Sequence, residues 1–155
     1  MVVLKTIDYR GGLLRFRIPG SWLEEYEPDG GGTFYRDEAD SGTLRLNILT
    51  FEGNAKPDKQ ALLKAVASSG PAEWLSTGNA FVSYRETGSG TREPLTVFQW
   101  KVANAVEPRH LRLALFSYTV ALSHAESAEV LGEVRLLTDE IRMSQFAATL
   151  GVVPS

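Results

Sequence analysis

With 155 residues, no cysteine and a net charge of −3, the chain carries no disulfide framework, no thiolate nucleophile and no Cys-type structural zinc. Its net acidity supplies no global basic field to draw a phosphate backbone, so nucleic acid is not an expected partner. A composition of 43% hydrophobic and 23% charged residues excludes wholesale disorder, and a chain of this length buries roughly 70% of its unfolded surface without staples.

The first segment, Met1-Val-Val-Leu-Lys-Thr-Ile-Asp-Tyr-Arg, holds no apolar run of signal-peptide length, and nowhere do about 20 apolar residues run together. Those two readings predict a cytoplasmic protein with no membrane partner. The charge is uneven. Lys5, Arg10, Arg15 and Arg17 face only Asp8, whereas Glu24, Glu25, Glu27, Asp29, Asp37, Glu38 and Asp40 face only Arg36. The acidic run reads as a solvated loop beside a charge-blunted strand edge, with an acidic patch for a basic partner as the alternative.

Leu13-Leu-Arg-Phe-Arg-Ile18 alternates apolar and basic residues and predicts a strand, stopped by Pro19 and Gly20. Gly11-Gly12 predicts a hairpin back to a strand over residues 6–9. Residues 24–32 read as a loop ending in three glycines that give mobility, and residues 33–36 as a short strand. Over residues 43–51, Leu44, Leu46 and Ile48 alternate with Arg45 and Asn47, a fourth strand. Pro57 is expected at the first position of a helix with Leu62, Leu63 and Val66 as its apolar stripe, ending at about Ser69 before Gly70-Pro71. One further turn is expected over residues 72–75.

A meander follows over residues 80–86, 95–106 and 111–122, with a Gly/Ser/Thr-rich connection over 87–94 and a tight turn over 107–110. Pairing Val106 with Leu111 puts Phe98, Trp100 and Val102 on one face with Thr119, Ser117 and Leu115, and Phe116 and Tyr118 on the other. Both faces are then largely apolar. Either helices cover both, or one face is a groove awaiting an apolar occupant. Ser123 and Glu126 form a capping-box pattern, and Val130, Val134, Leu137 and Ile141 make one face of a helix running to about Phe146. The chain reads as one domain over residues 1–155, with a loose tail from about residue 147.

Chemistry is sparse in this pattern. His110 and His124 are the only histidines, and neither H-x-H nor H-x-x-x-H spacing occurs, so no metal and no cofactor are expected. There is no G-x-S-x-G elbow; a dispersed triad stays open. Gly88-Ser-Gly-Thr-Arg92 lacks the lysine and spacing of a phosphate loop. Nothing places Glu24, Glu25 and Glu27 in a dry cleft for acid–base work. Of the tryptophans, Trp22 and Trp100 read as core, and Trp74 sits on a connector.

The element order, with Ile18-Pro-Gly-Ser-Trp22, Thr33-Phe-Tyr-Arg-Asp37 and Gly42-Thr-Leu-Arg-Leu46 in place, resembles the Mog/PsbP-like superfamily over roughly residues 7–146. That group includes Ran-binding Mog proteins, PsbP, DcrB-type proteins and type VI secretion effector chaperones. The resemblance implies an α+β fold, an α/β/α sandwich with a central antiparallel sheet of about six strands flanked by helices. It implies no enzymatic activity and a binding or assembly role. The functional expectation is a non-enzymatic protein-binding or chaperone-like module, its binding surface drawn from Trp74, Phe98, Trp100 and Tyr118 and its approach steered by the acids of residues 24–40. The rivals are a small-molecule binder or enzyme with an unrecognised pocket, and a homodimer formed through a sheet edge or face.

Overall fold

The computed structural model describes residues 2–68, 70–89 and 94–148. Ten strands and two helices follow in the order β1 (Leu4–Tyr9), β2 (Leu14–Pro19), β3 (Leu23–Tyr26), β4 (Gly32–Tyr35), β5 (Thr43–Glu52), α1 (Lys59–Ala67), β6 (Glu73–Trp74), β7 (Ala80–Ser89), β8 (Pro94–Val106), β9 (His110–Ala121), α2 (Ala128–Arg142) and β10 (Gln145–Phe146). A seven-stranded antiparallel sheet has the order β3-β4-β5-β9-β8-β7-β6, and a small one the order β1-β2-β10.

The two faces of the large sheet carry separate cores. On the inner face Phe34, Leu44, Leu46, Phe98, Trp100, Phe116 and Tyr118 pack with Ile7, Phe16 and Ile18 of the small sheet and Val130, Leu137 and Ile141 of α2. On the outer face Leu62 and Val66 of α1 meet Ala80, Val82 and Ala103. The α+β sandwich expected from the resemblance is present, with the small sheet sharing the inner layer with α2.

The β8–β9 hairpin corrects the expected register. Val106 pairs with His110, not Leu111, so the loop is three residues long and every partner slips by one. Because side chains alternate with period two, Tyr118 and Phe116 then stand opposite Phe98 and Trp100 on the same face. The first helix begins at Lys59 with Asp58 as its cap, accepting from the Ala61 N–H, so Pro57 lies outside it. Its expected end at Ser69 falls outside the described residues, the helix itself closing at Ala67. Residues 73–74 form an edge strand where a further turn was expected.

The acidic run is not a loop throughout: Leu23–Tyr26 is a strand exposed at every position, paired with β4. The last helix is capped by Ser127, whose hydroxyl accepts from the Val130 N–H. Ser123 instead lies in a 3₁₀ turn, Leu122–His124, and the helix ends at Arg142. The expected loose tail begins tied down: the Ala147 N–H donates to Leu13 and the Glu107 N–H to Ala148. Its remainder, and residues 90–93 of the Gly/Ser/Thr-rich connection, lie outside the described residues.

Candidate binding surface

Three of the four sequence-derived binding residues are core. Trp100 and Tyr118 are buried at 1% and 0% exposure and Phe98 at 7%, all beneath α2 and the small sheet. The Trp100 indole N–H donates to Thr138 Oγ1 at 3.0 Å, and the Tyr118 hydroxyl donates to Glu133 Oε1 at 2.7 Å. Trp22 stacks on Tyr118 with centroids 5.9 Å apart. Burial foremost, and then Glu133, push the Tyr118 phenol well above its ordinary range. Trp74 is the member of the set at the surface, 38% exposed on β6 with the Lys59 ammonium 5.4 Å over its ring. The structure does not bring it to the other three.

The open surface lies on the other face of the sheet. Helix α1 packs on β7 and β8, and among the described residues no helix covers the outer side of β9, β5 and β4. The register places Leu49 beside Leu113 and Phe51 beside Leu111. Leu49 and Phe51 are 39% and 51% exposed, while Leu111 and Leu113 are partly buried against the α1 cluster.

Two rungs from Leu49 the same face turns polar. Thr33, Arg45, Ser117 and Gln99 form one row across β4, β5, β9 and β8, with Asn47 and Leu115 in the next. These side chains line a groove of about 360 Å³, together with Glu27, Gly30, Gly31 and Gly32.

The glycines are a pinned turn, where mobility was expected. Gly30 and Gly31 have φ of 107° and 103°, a region glycine enters without strain. The Gly30 N–H donates to the Glu27 carbonyl at 3.0 Å, and the Gly31 N–H to the Tyr9 hydroxyl at 2.6 Å. Arg10 packs so closely that a Cβ on Gly30 would fall 2.7 Å from its guanidinium.

Charges around this surface are mostly committed. Glu24 pairs with Lys5 at 2.8 Å, and that bond, with a second from Tyr26, holds its carboxyl below the usual range. Glu25 accepts from the Tyr35 hydroxyl, and Glu86 accepts from Gln99 at 2.9 Å. Arg36 lies between Glu38, Glu129 and Glu133. Arg45 is different: among the described residues no hydrogen bond or ion pair engages its side chain. Three of the four basic residues of the first hairpin are paired, Lys5 with Glu24, Arg15 with Asp8 and Arg17 with Glu140, while Arg10 donates to the Tyr9 hydroxyl.

The two histidines are not brought together. His110 opens β9 opposite Val106 and Glu52, and His124 is exposed in the 3₁₀ turn. Among the described residues no three His, Asp or Glu side chains stand as a metal-holding group. Nor is any described helix long and apolar enough to cross a membrane.

Leu49, Phe51, Arg45 and Ser117 were not anticipated as a surface, although one signal was legible. In β5 the apolar positions change parity after Ile48: Leu44, Leu46 and Ile48 point inward, whereas Leu49 and Phe51 point outward. A strand that switches its apolar side part-way along serves two different faces.

No protein-family model matches the chain, and no curated protein matches it by sequence. Solved structures do. The Saccharomyces cerevisiae Ran-binding protein Mog1p superposes with a TM-score of 0.61 over 99% of this chain and 100% of its own, at 12% identity. The fold is Mog/PsbP-like. LpqN of Mycobacterium tuberculosis, described as involved in cell envelope biogenesis, matches at a TM-score of 0.61 and 14% identity, covering 94% of this chain and 91% of LpqN. A Bacteroides thetaiotaomicron protein matches at 0.60 and 19% identity over 92% of this chain. The chain spans about half, 48%, of that protein's length. At these identities the likeness establishes the Mog/PsbP-like fold and nothing finer.

Proposed function

We propose that this chain is a non-enzymatic protein-binding module of the chaperone or assembly-factor kind, and that it binds through the open part of the outer sheet face. The observation that carries this reading is the pair Leu49 and Phe51, exposed side by side next to Leu111 and Leu113. Covering the exposed half of each would contribute about 1–2 kcal/mol, enough for such residues to anchor an interface. The neighbouring groove offers hydroxyls, amides and a guanidinium, groups that recognise a partner. The Ran-binding role of Mog1p, a protein of the same fold, supports a protein as the partner class. Of the acids of residues 24–40, Glu24 and Glu25 lie on β3 at the edge of the same sheet, and this acidic run would set the salt dependence of association.

The test is affinity capture from native extract with the parent, Phe51→Asp, Leu49→Asp and Trp74→Ala proteins, each checked for an unchanged melting temperature. A partner retained by the parent and by Trp74→Ala but lost by both outer-face variants supports the reading. The groove itself favours a rival, a small-molecule ligand. Saturable thermal stabilisation by a metabolite, with no protein captured, would replace the module with that rival.

A further inference from the structure

Beside α1 the outer face of the sheet is uncovered over β9, β5 and β4 among the described residues, and it holds a cation that they leave unpaired. Strands lie about 4.8 Å apart, so moving two strands along the sheet from α1, from β7–β8 to β9–β5, covers about 10 Å. That matches the spacing of two helices packed side by side. The strip over β9 and β5, uncovered among the described residues, therefore has room for a second helix beside α1. Along it, Phe51 and Leu49 stand at one end, Leu115 in the middle and Arg45 at the other. Six residues of strand separate Arg45 from Phe51, about 20 Å, which a helix spans in about 13 residues.

Charge complementarity decides what that helix carries. Arg45 makes no hydrogen bond or ion pair among the described residues. Two acids on this face are already engaged, Glu25 by Tyr35 and Glu86 by Gln99. Glu27 lines the same groove without pairing to Arg45. Thr33, Ser117 and Asn47 line the same groove as Arg45 and offer hydrogen-bonding groups that suit a carboxylate's remaining lone pairs.

We propose that the occupant is an amphipathic helix of a partner protein, about 13 residues long, lying beside α1. Its apolar stripe rests on Phe51, Leu49 and Leu115, and an Asp or Glu at one end meets Arg45. This rests on the reading of the outer face as a protein-binding surface and adds the partner's shape and charge.

The experiment selects from a phage-displayed library of random 16-residue peptides against the parent protein and against Arg45→Glu. Arg45 is exposed and, among the described residues, unpaired, so the variant should melt with the parent. Peptides enriched on the parent should show apolar residues at i, i+3, i+4 and i+7 with an acid at one end, and enrichment on Arg45→Glu should exchange that acid for Lys or Arg. The best peptide, measured by fluorescence anisotropy, should bind Arg45→Glu about tenfold more weakly and lose binding to Phe51→Asp. Peptides that need Phe51 but bind Arg45→Glu equally well would overturn the acidic helix and leave the outer-face reading standing. If no enriched peptide depends on Phe51, both fall.

Discussion

The indole N–H of Trp100 donates to the hydroxyl of Thr138 at 3.0 Å, and Thr138 in turn donates to the Val134 carbonyl at 2.7 Å. A polar bond thus runs from the centre of the large sheet into α2, whose apolar face is completed by Leu137 at 1% exposure. Thr138→Val keeps the volume but strands a buried indole donor, and should cost about 1–2 kcal/mol in urea unfolding, whereas Thr138→Ser should cost less. Leu137→Asp should cost several kcal/mol, because it removes packing and buries a charge. A Leu137→Asp protein melting within a degree of the parent would show that α2 is not docked on the sheet.

Two glycines should respond to alanine with opposite signs. A Cβ on Gly42 would sit 2.5 Å from the Tyr118 hydroxyl oxygen, and that ring is buried and stacked on Trp22. Gly42→Ala should therefore destabilise by about 1–3 kcal/mol, as overpacking does. Gly132 lies inside α2, exposed, with nothing within 4 Å of a Cβ. Gly132→Ala should stabilise by about 0.5–1 kcal/mol through helix propensity. Thermal melts of the two variants, measured together, check both signs.

The fold class was legible because long alternating strands and a 3.6-residue apolar repeat are strong local signals. Register was not. Both faces of the β8–β9 hairpin carry apolar residues, so Val106–Leu111 and Val106–His110 pairings bury similar side chains and the pattern does not choose between them. The cap of α2 was misplaced for a related reason. Ser123 and Ser127 are both able N-caps. Ala125, fully buried after the 3₁₀ turn, sets the start at Ala128 and leaves Glu126 to pair with Arg85. The proposed surface was hidden by the same slip, since Phe98, Trp100 and Tyr118 lie in the inner core and Trp74 stands apart from them. Composition does not record that α1 lies over β7 and β8 and leaves the outer side of β9, β5 and β4 without a helix among the described residues.

Nucleic acid affinity should be negligible at physiological salt. The basic stretch that could have supplied it is largely neutralised locally, with Lys5, Arg15 and Arg17, three of its four bases, each held by a carboxylate. A mobility-shift titration with duplex DNA and single-stranded RNA should show no salt-sensitive complex at micromolar protein. A shift lost on mutating Arg15 and Arg17 together would reverse the conclusion.

Stability should fall at both ends of the pH scale for different groups. Glu24, bonded by Lys5, and Glu73, bonded by Arg142, both have folded pKa values below the ordinary carboxylate range. Their contribution is present above about pH 4.5 and is lost as pH falls through the lowered values. Tyr118 works the other way. Burial, and then the bond to Glu133, raise its folded pKa far above the unfolded value of about 10. Its contribution is complete below about pH 10 and is lost as pH rises beyond that, because the unfolded chain releases a proton that the folded chain keeps. Tyr26 is raised in the same direction and adds to the loss. Tyr118→Phe should therefore lower stability at pH 8 but flatten its decline above pH 10 by about 1.4 kcal/mol per pH unit, the slope of one proton. Urea midpoints for parent and variant from pH 8 to 11 measure that difference. Parallel curves would mean that the Tyr118 hydroxyl ionises as readily folded as unfolded, against its burial beside Glu133.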